Sequence, residues 1–482
     1  MNKKKIISGF IGLAILMTAS RPLFAQQDQT IYLMRDIPQA TYSNPSLIPE
    51  CKFYIGFPAL SSFYLGIGND GFTTRDVLRY DNTDSLTVDM DNLSDILKKK
   101  NNFLLNIKEE LISFGFKVKR NYINFSISEN FVSRLTYPGD LFAIINEGNA
   151  SARFFGNTAE FKGAGFNMTH YREFALGYSR ALSDKLVVGA RPKMLFGMMN
   201  IHTRRSDVSF FTANFAEYIE TNSDVLVNTS IPMAASMNDT LDPPEVEFSE
   251  YITNMDNKGF AIDLGGSYKY NDKFIFSASL IDLGWIHWKT NPMNYVSEYE
   301  NANFRFDGFE INRMFIANDS VDFEETLADL LDSIQETFNI IEKNEDYNSP
   351  LNTKLYLNAV YTVNEKGKAG ALLGFDFYNR GLHPSLTLSY NHRFGNILSL
   401  TGSYSMKNRN YANIGFGAAL NLGPLQLYFV TDNILSMLIY DKITDGGDFG
   451  VPIPRYTRYM NGHFGINFIF GYKKKDPNIP SL

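Results

Sequence analysis

A chain of 482 residues, rich in Phe (40) and Tyr (27) and poor in Trp (2), has room for two or three soluble domains or for one large barrel. A formal net charge of −7 argues against a nucleic-acid partner, and a single cysteine, Cys51, excludes an internal disulfide. Beyond residue 25 nothing approaches an uncharged apolar run long enough for a spanning helix, so any membrane crossing falls to strands.

Residues 1–25 read as a secretory signal: basic Lys3, Lys4 and Lys5, an apolar stretch from Ile6 to Met17, and Ala25 before Gln26 as the cleavage point. Leu23 at the −3 position is larger than usual, and the apolar stretch is short for the rival reading, an anchor helix. Cleavage would remove four cations and no acid from the net −7, leaving −11. Residues 26–50 are loop-like, broken by Pro38, Asn44, Pro45 and Pro49. A first strand region at 53–67 is interrupted by Pro58.

Residues 73–110 read as an insertion carrying a short helix, with Leu93, Ile96 and Leu97 at helical spacing. Its aspartates, Asp81, Asp84, Asp89, Asp91 and Asp95, lack the glycine of a calcium loop and read as a solvated acidic stretch. Strands are expected at 112–119 and 121–129 around the turn Lys119–Asn121, and a small helix at 138–148 opened by Pro138. Alternation follows near 151–169, 172–180 and 185–204; residues 205–258 read as a long loop with irregular strand ends.

The rhythm restarts at 259. Ile262, Leu264, Tyr268 and Tyr270 oppose Asp263, Gly265, Ser267 and Lys269, and Asn271-Asp272 makes a hairpin turn. Residues 320–343 predict a third helical insertion, with a stripe of Phe323, Leu327, Leu330, Leu331, Ile334 and Phe338 and a capping box of Asp322 and Glu325. From 353 the period-2 pattern runs to 472, clearest in 411–422, where Ile414, Phe416, Ala418 and Leu420 oppose Asn413, Gly415, Gly417 and Asn421. A polar tail, 473–482, follows an aromatic-rich last strand. The expected fold is all-β: a transmembrane antiparallel β-barrel of about 14 strands over 51–472. A soluble β-sandwich is the alternative, since it alternates too.

Chemistry is sparse. No zinc-protease, phosphate-loop or Cys-x-x-Cys motif occurs, and six scattered histidines lack metal-ligand spacing. Gly163-Ala164-Gly165 and Gly415-Phe416-Gly417 sit in β patterns and are not dinucleotide loops. His383-Pro384-Ser385 invites comparison with a lipid-facing Ser-His pair, but Ser385 lies on the inward parity and His392 on the outward one. No enzyme activity, cofactor or metal is expected.

Three segments resemble a known family: Tyr42–Pro49; Gly177–Arg180 with Asp184–Gly189, Lys193 and Gly197-Met198; and Ile281–Trp288. Together they are similar to a family of Bacteroidota outer-membrane proteins, the domain of unknown function numbered 5723. Asn44-Pro45-Ser46 also resembles the Asn-Pro-Ala element of FadL-like barrels, with Ser in place of Ala. That likeness implies an N-terminal plug at 26–50 inside a barrel of the Gram-negative outer membrane; an ordinary loop turn at Asn44-Pro45 is the alternative. It implies contact with outer-membrane lipid and binding or passage of a small hydrophobic molecule. The rival reading, similar to PorV-like barrels of type IX secretion, is a docking platform for protein partners, with the acidic stretch 81–95 and the helical stripe 323–338 as its contact surfaces.

Overall fold

The computed structural model describes residues 29–80, 86–214, 218–231, 248–297, 302–306, 340–378, 381–407, 410–438, 440–444, 450–454 and 458–471. The expected signal (1–25), the tail (473–482) and the helical stripe 323–338 lie outside them.

Fourteen strand positions form a closed up-and-down barrel. They are β1 (Phe53–Gly56, resumed at Phe63–Asn69), β2 (Asn101–Val118), β3 (Asn121–Tyr137), β4 (Gly165–Ala181), β5 (Leu186–Thr212), β6 (Asn257–Lys269) and β7 (Phe274–Trp288). The circuit continues with β8 (Thr353–Thr362), β9 (Gly367–Tyr378), β10 (Gly381–Phe394), β11 (Leu398–Lys407), β12 (Asn410–Leu422), β13 (Leu425–Thr431) and β14 (Tyr459–Phe470). Each pairs antiparallel with its neighbours in this order, and β14 closes the ring on β1 through Phe53↔Phe470 and Phe63↔Phe464. Closure leaves no unpaired edge in the wall, as a hydrocarbon surrounding requires.

The faces are inverted relative to a soluble sandwich. Leu176, Tyr178, Phe276, Leu357, Leu388, Ile414 and Phe468 are exposed on the outside, whereas Asn124, Ser126, Ser128, Ser399 and Thr401 are buried inside. An apolar belt outside and a polar interior define a membrane-spanning barrel, and a sandwich would bury the other parity. Tight turns gather at one end: Lys119, Gly395 and Gly423 adopt positive φ (55°, 66° and 66°) in the β2–β3, β10–β11 and β12–β13 connections.

At the other end the sheet outgrows the barrel. β5 runs 27 residues, and its far half pairs with Ile219–Ser230, which pairs in turn with Pro292–Ser297 and Ala302–Phe306. Helices Met90–Ile96 and Gly139–Glu147 sit there, with Leu93, Leu97 and Tyr137 in one apolar cluster.

Four regions differ from expectation; the first, 151–164, was read as part of an alternating stretch but holds turns around the short strand Thr158–Glu160. Residues 101–110, read as part of a helical insertion, are the upper half of β2. Inward Lys108 and Glu110 break the apolar alternation there because the lumen accepts charge. The expected loop 205–258 contains a strand, Ile219–Ser230, in a sheet whose polar and apolar residues are mixed on both faces. Ile340–Lys343, placed at the end of a helix, is a strand paired with Asn294–Ser297.

β1 is interrupted inside the wall. Six residues, 57–62, stand opposite only Gly465 and Ile466 of β14. Pro58 cannot donate to the ladder, Ala59 takes φ 58°, and Phe57 and Leu60 turn outward.

Candidate functional site

The half of the lumen nearest the tight turns is occupied by the chain itself. Residues 29–50 run through it as two short 3-10 turns, Ile31–Leu33 and Pro38–Tyr42, the second opened by its proline. Ile31, Met34 and Ile37 pack with Ala419, Tyr428 and Val430, and Tyr32 and Leu47 pack with Ile281, Tyr356 and Leu372. The segment is pinned at its start by Asp432, whose carboxylate accepts from Gln29 N (3.2 Å), Thr30 N (3.0 Å) and Thr30 Oγ1 (2.7 Å).

Asn44, Pro45 and Ser46 lie against the wall. Asn44 Oδ1 accepts from Ser46 N (2.9 Å) and Ser46 Oγ (2.7 Å), an Asx turn, while its Nδ2 donates to the Tyr32 hydroxyl (2.8 Å). Ser46 Oγ meets Ser267 Oγ of β6 at 2.6 Å, and Ser179 Oγ of β4 donates to the Pro45 carbonyl. Glycines make room for this approach: a Cβ on Gly189 would fall 2.4 Å from the Pro45 oxygen, and one on Gly265 2.1 Å from Asn44 Oδ1. The three residues thus combine a local turn with wall contacts, and none of them lines the cavity described below.

Above this segment lies a layer of buried charge. Arg191 of β5 bonds Glu173 (2.9 Å) and Asp263 (3.3 Å). Lys193 reaches Asp282 (2.6 Å), Asp263 (2.8 Å) and Glu173 (3.5 Å), and Lys354 reaches Asp282 (2.8 Å). Asp282 owes its position to a shift in β6–β7 register between Ile262 and Leu264; its φ is 58°, and its N–H donates to Asp263 Oδ1 at 2.8 Å. The layer touches the N-terminal segment below, since the Arg191 guanidinium stacks 4.3 Å from the centre of the Tyr42 ring. Glu110 is turned toward that segment: it accepts from Gln39 Nε2 (3.1 Å), from Ser61 Oγ (2.7 Å) and from the Tyr42 hydroxyl.

Over the charged layer a cavity of about 570 Å³ opens toward the long-loop end. Its inward-facing side chains include Lys108, Arg134, Asp282, Lys354 and Asp376, the amides Asn106, Asn130 and Asn167, and the less polar Tyr64, Val132 and Tyr171. Lys108 has Glu173 at 3.9 Å and lies 5.7 Å from the Tyr42 ring centre. Sequence reasoning missed this set. Its available signal was charge on the inward parity of strands, as in Arg191, Lys193 and Asp263.

The remaining candidates are accounted for structurally. Ser385 Oγ accepts from Gln29 Nε2 (2.6 Å) inside the lumen, whereas His392 lies outside, stacked on Tyr390 and edge-on to Phe394, so no Ser-His pair forms between them. Burial pushes the Cys51 thiol up to about 12, far from a reactive thiolate. Asp89 caps the helix at Met90 and pairs with Arg79 (2.6 Å), and Asp91 accepts from Asn146 (2.8 Å). Among the described residues no group of three or more potential metal ligands comes together. The docking surface expected on the stripe 323–338 lies outside the described residues.

The chain matches the family described as "Family of unknown function (DUF5723)" over residues 45–432, and it belongs to that family. No curated protein matches it. Among solved structures it is similar to the TodX deltaS2S3 mutant monoaromatic hydrocarbon channel, with TM-score 0.39, 9% identity, and coverage of 89% of this chain and 94% of that one. The toluene transporter TbuX of Ralstonia pickettii gives TM-score 0.39, 9% identity and coverage of 90% and 95%. A FadL homologue of Pseudomonas aeruginosa gives TM-score 0.39, 9% identity and coverage of 94% and 100%. At these identities and TM-scores the likeness carries no inference about what this chain binds.

Proposed function

We propose that this member of the DUF5723 family is an outer-membrane barrel that binds and passes a small molecule through its lumen, with residues 29–50 as the plug. The observation that carries the reading is a cavity of about 570 Å³ standing over a buried N-terminal segment inside a closed, belt-bearing barrel. The export signal read in residues 1–25 supports delivery across the inner membrane, and lipid of the outer membrane would contact the belt. The small hydrophobic molecule expected from the sequence gains a polar end here. Tyr64, Val132 and Tyr171 offer apolar contact, but most inward side chains around the cavity are polar, and a pure hydrocarbon would leave the buried amide oxygens of Asn106 and Asn167 without a partner.

Passage requires the plug to shift or a side opening to form. Each hydrogen bond between the segment and the wall contributes about 1 kcal/mol net, and the bonds from Gln29, Thr30, Gln39, Tyr42 and Ser46 add to the apolar packing that holds it. The test is permeation of a small solute into proteoliposomes, comparing intact protein with a 29–50 deletion whose barrel is verified by heat-modifiable migration. Faster entry through the deletion supports plug gating; equal entry contradicts it.

A further inference from the structure

We infer that the cavity holds an anion-accepting subsite built on Lys108, so that its ligand is a small organic anion with a compact apolar or aromatic body. The inference rests on the reading of the cavity as the binding site and specifies the chemistry of its occupant.

The charges around the cavity are unevenly satisfied. Asp282 is already held by two lysines, Lys193 at 2.6 Å and Lys354 at 2.8 Å. Glu173 is engaged by Arg191 at 2.9 Å and Lys193 at 3.5 Å, which leaves Lys108 its most distant cation at 3.9 Å. Glu110, two residues along β2, is turned to the plug and accepts from Gln39, Tyr42 and Ser61. Counted with the layer beneath the cavity, Lys108, Arg134, Arg191, Lys193 and Lys354 meet Glu173, Asp263, Asp282 and Asp376, a surplus of one positive charge. An ammonium held at 3.9 Å from a shared carboxylate gains most from a new anionic partner at hydrogen-bond distance.

The neighbours suit a hydrogen-bonding ligand. Asn106 and Asn167 line the same cavity, and the amide oxygen of each is buried without a hydrogen-bond partner. A terminal amide presents donor or acceptor depending on its rotation, so both groups can serve the polar end of a ligand. Val132 stands between Asn130 and Arg134 on the same face of β3, next to Tyr171 of β4, where a short apolar body would pack. Carboxylate, phosphate and sulfonate share the required chemistry.

The experiment uses the mature protein in lipid nanodiscs, with empty nanodiscs as blank, and titrates 4-hydroxybenzoate and its neutral counterpart 4-hydroxybenzamide by calorimetry. The expected result is tighter binding of the anion. Lys108→Gln should weaken the anion about tenfold or more, the scale of a lost charge-assisted hydrogen bond, and leave the amide unchanged. Lys108→Arg keeps the charge and should keep most of the preference, and heat-modifiable migration shows that each variant has closed its barrel. Equal binding of anion and amide overturns the anion subsite while the cavity remains a binding site. An anion preference untouched by Lys108→Gln overturns the assignment to Lys108. Failure of both probes to bind overturns the subsite, while the plug-deletion permeation assay decides the broader reading separately.

Discussion

The two halves of the lumen are built from the same alternating strands and end in opposite states. Toward the tight turns, glycines and short side chains such as Gly189, Gly265, Ser179, Ser267 and Ala419 face inward, and the N-terminal segment fills the space with Ile31, Met34, Ile37 and Leu47. Toward the long loops, the inward positions are Lys108, Arg134, Asp282, Lys354 and Asp376, and a cavity remains. The difference shows that inward parity in a barrel specifies only "not lipid". Whether the interior is packed or open depends on side-chain size and on whether another part of the chain comes to fill it.

Disrupting the boundary between the halves should have the largest effect. Lys193→Met removes the cation shared by Glu173, Asp263 and Asp282, and it is expected to cost about 3–5 kcal/mol in denaturant unfolding, since it leaves buried carboxylates under-compensated. A loss below 1 kcal/mol would mean that the layer is not a structural divider. Gly265→Val attacks the filled half, because its Cβ would collide with Asn44; overpacking of this kind costs about 1–3 kcal/mol, and faster solute permeation would show that the plug has been dislodged. Ser46→Ala, which removes one bond to β6 and one to Asn44, is expected to cost about 1 kcal/mol, with permeation nearly unchanged. Arg120→Ala breaks an exposed pair with Asp184 at the tight-turn end and should shift stability by roughly 0–1 kcal/mol, a control for the buried layer.

The sequence exposed one half of this comparison better than the other. Strands near the tight turns alternate cleanly because lipid outside and a packed or neutral interior inside impose opposite demands at every step, as in Leu386–Tyr390 and Leu398–Tyr404. That regularity made a count of about 14 strands readable. Toward the loops the demand relaxes. Lys108 and Glu110 interrupt β2 on its inward face, and Ile219–Ser230 lies in a sheet beyond the barrel, so periodicity fades where strands continue. The inward parity of Asp263 was readable, but the pairing of the buried ion layer was not, because it is assembled from β4, β5, β6, β7 and β8 and no local spacing joins Glu173 to Lys354. Asn44-Pro45-Ser46 was visible as a turn, but its wall partners Ser179 and Ser267 lie far away in sequence.

The most direct test is to lock the plug. Ser46 and Ser267 have their hydroxyls 2.6 Å apart, close enough for a double cysteine variant, Ser46→Cys with Ser267→Cys in a Cys51→Ser background, to form a disulfide. Solute entry into proteoliposomes would be followed before oxidation, after quantitative cross-linking, and after reduction. The account predicts that entry stops in the oxidised protein and returns on reduction. Undiminished entry through a fully cross-linked barrel would show that residues 29–50 do not gate the lumen.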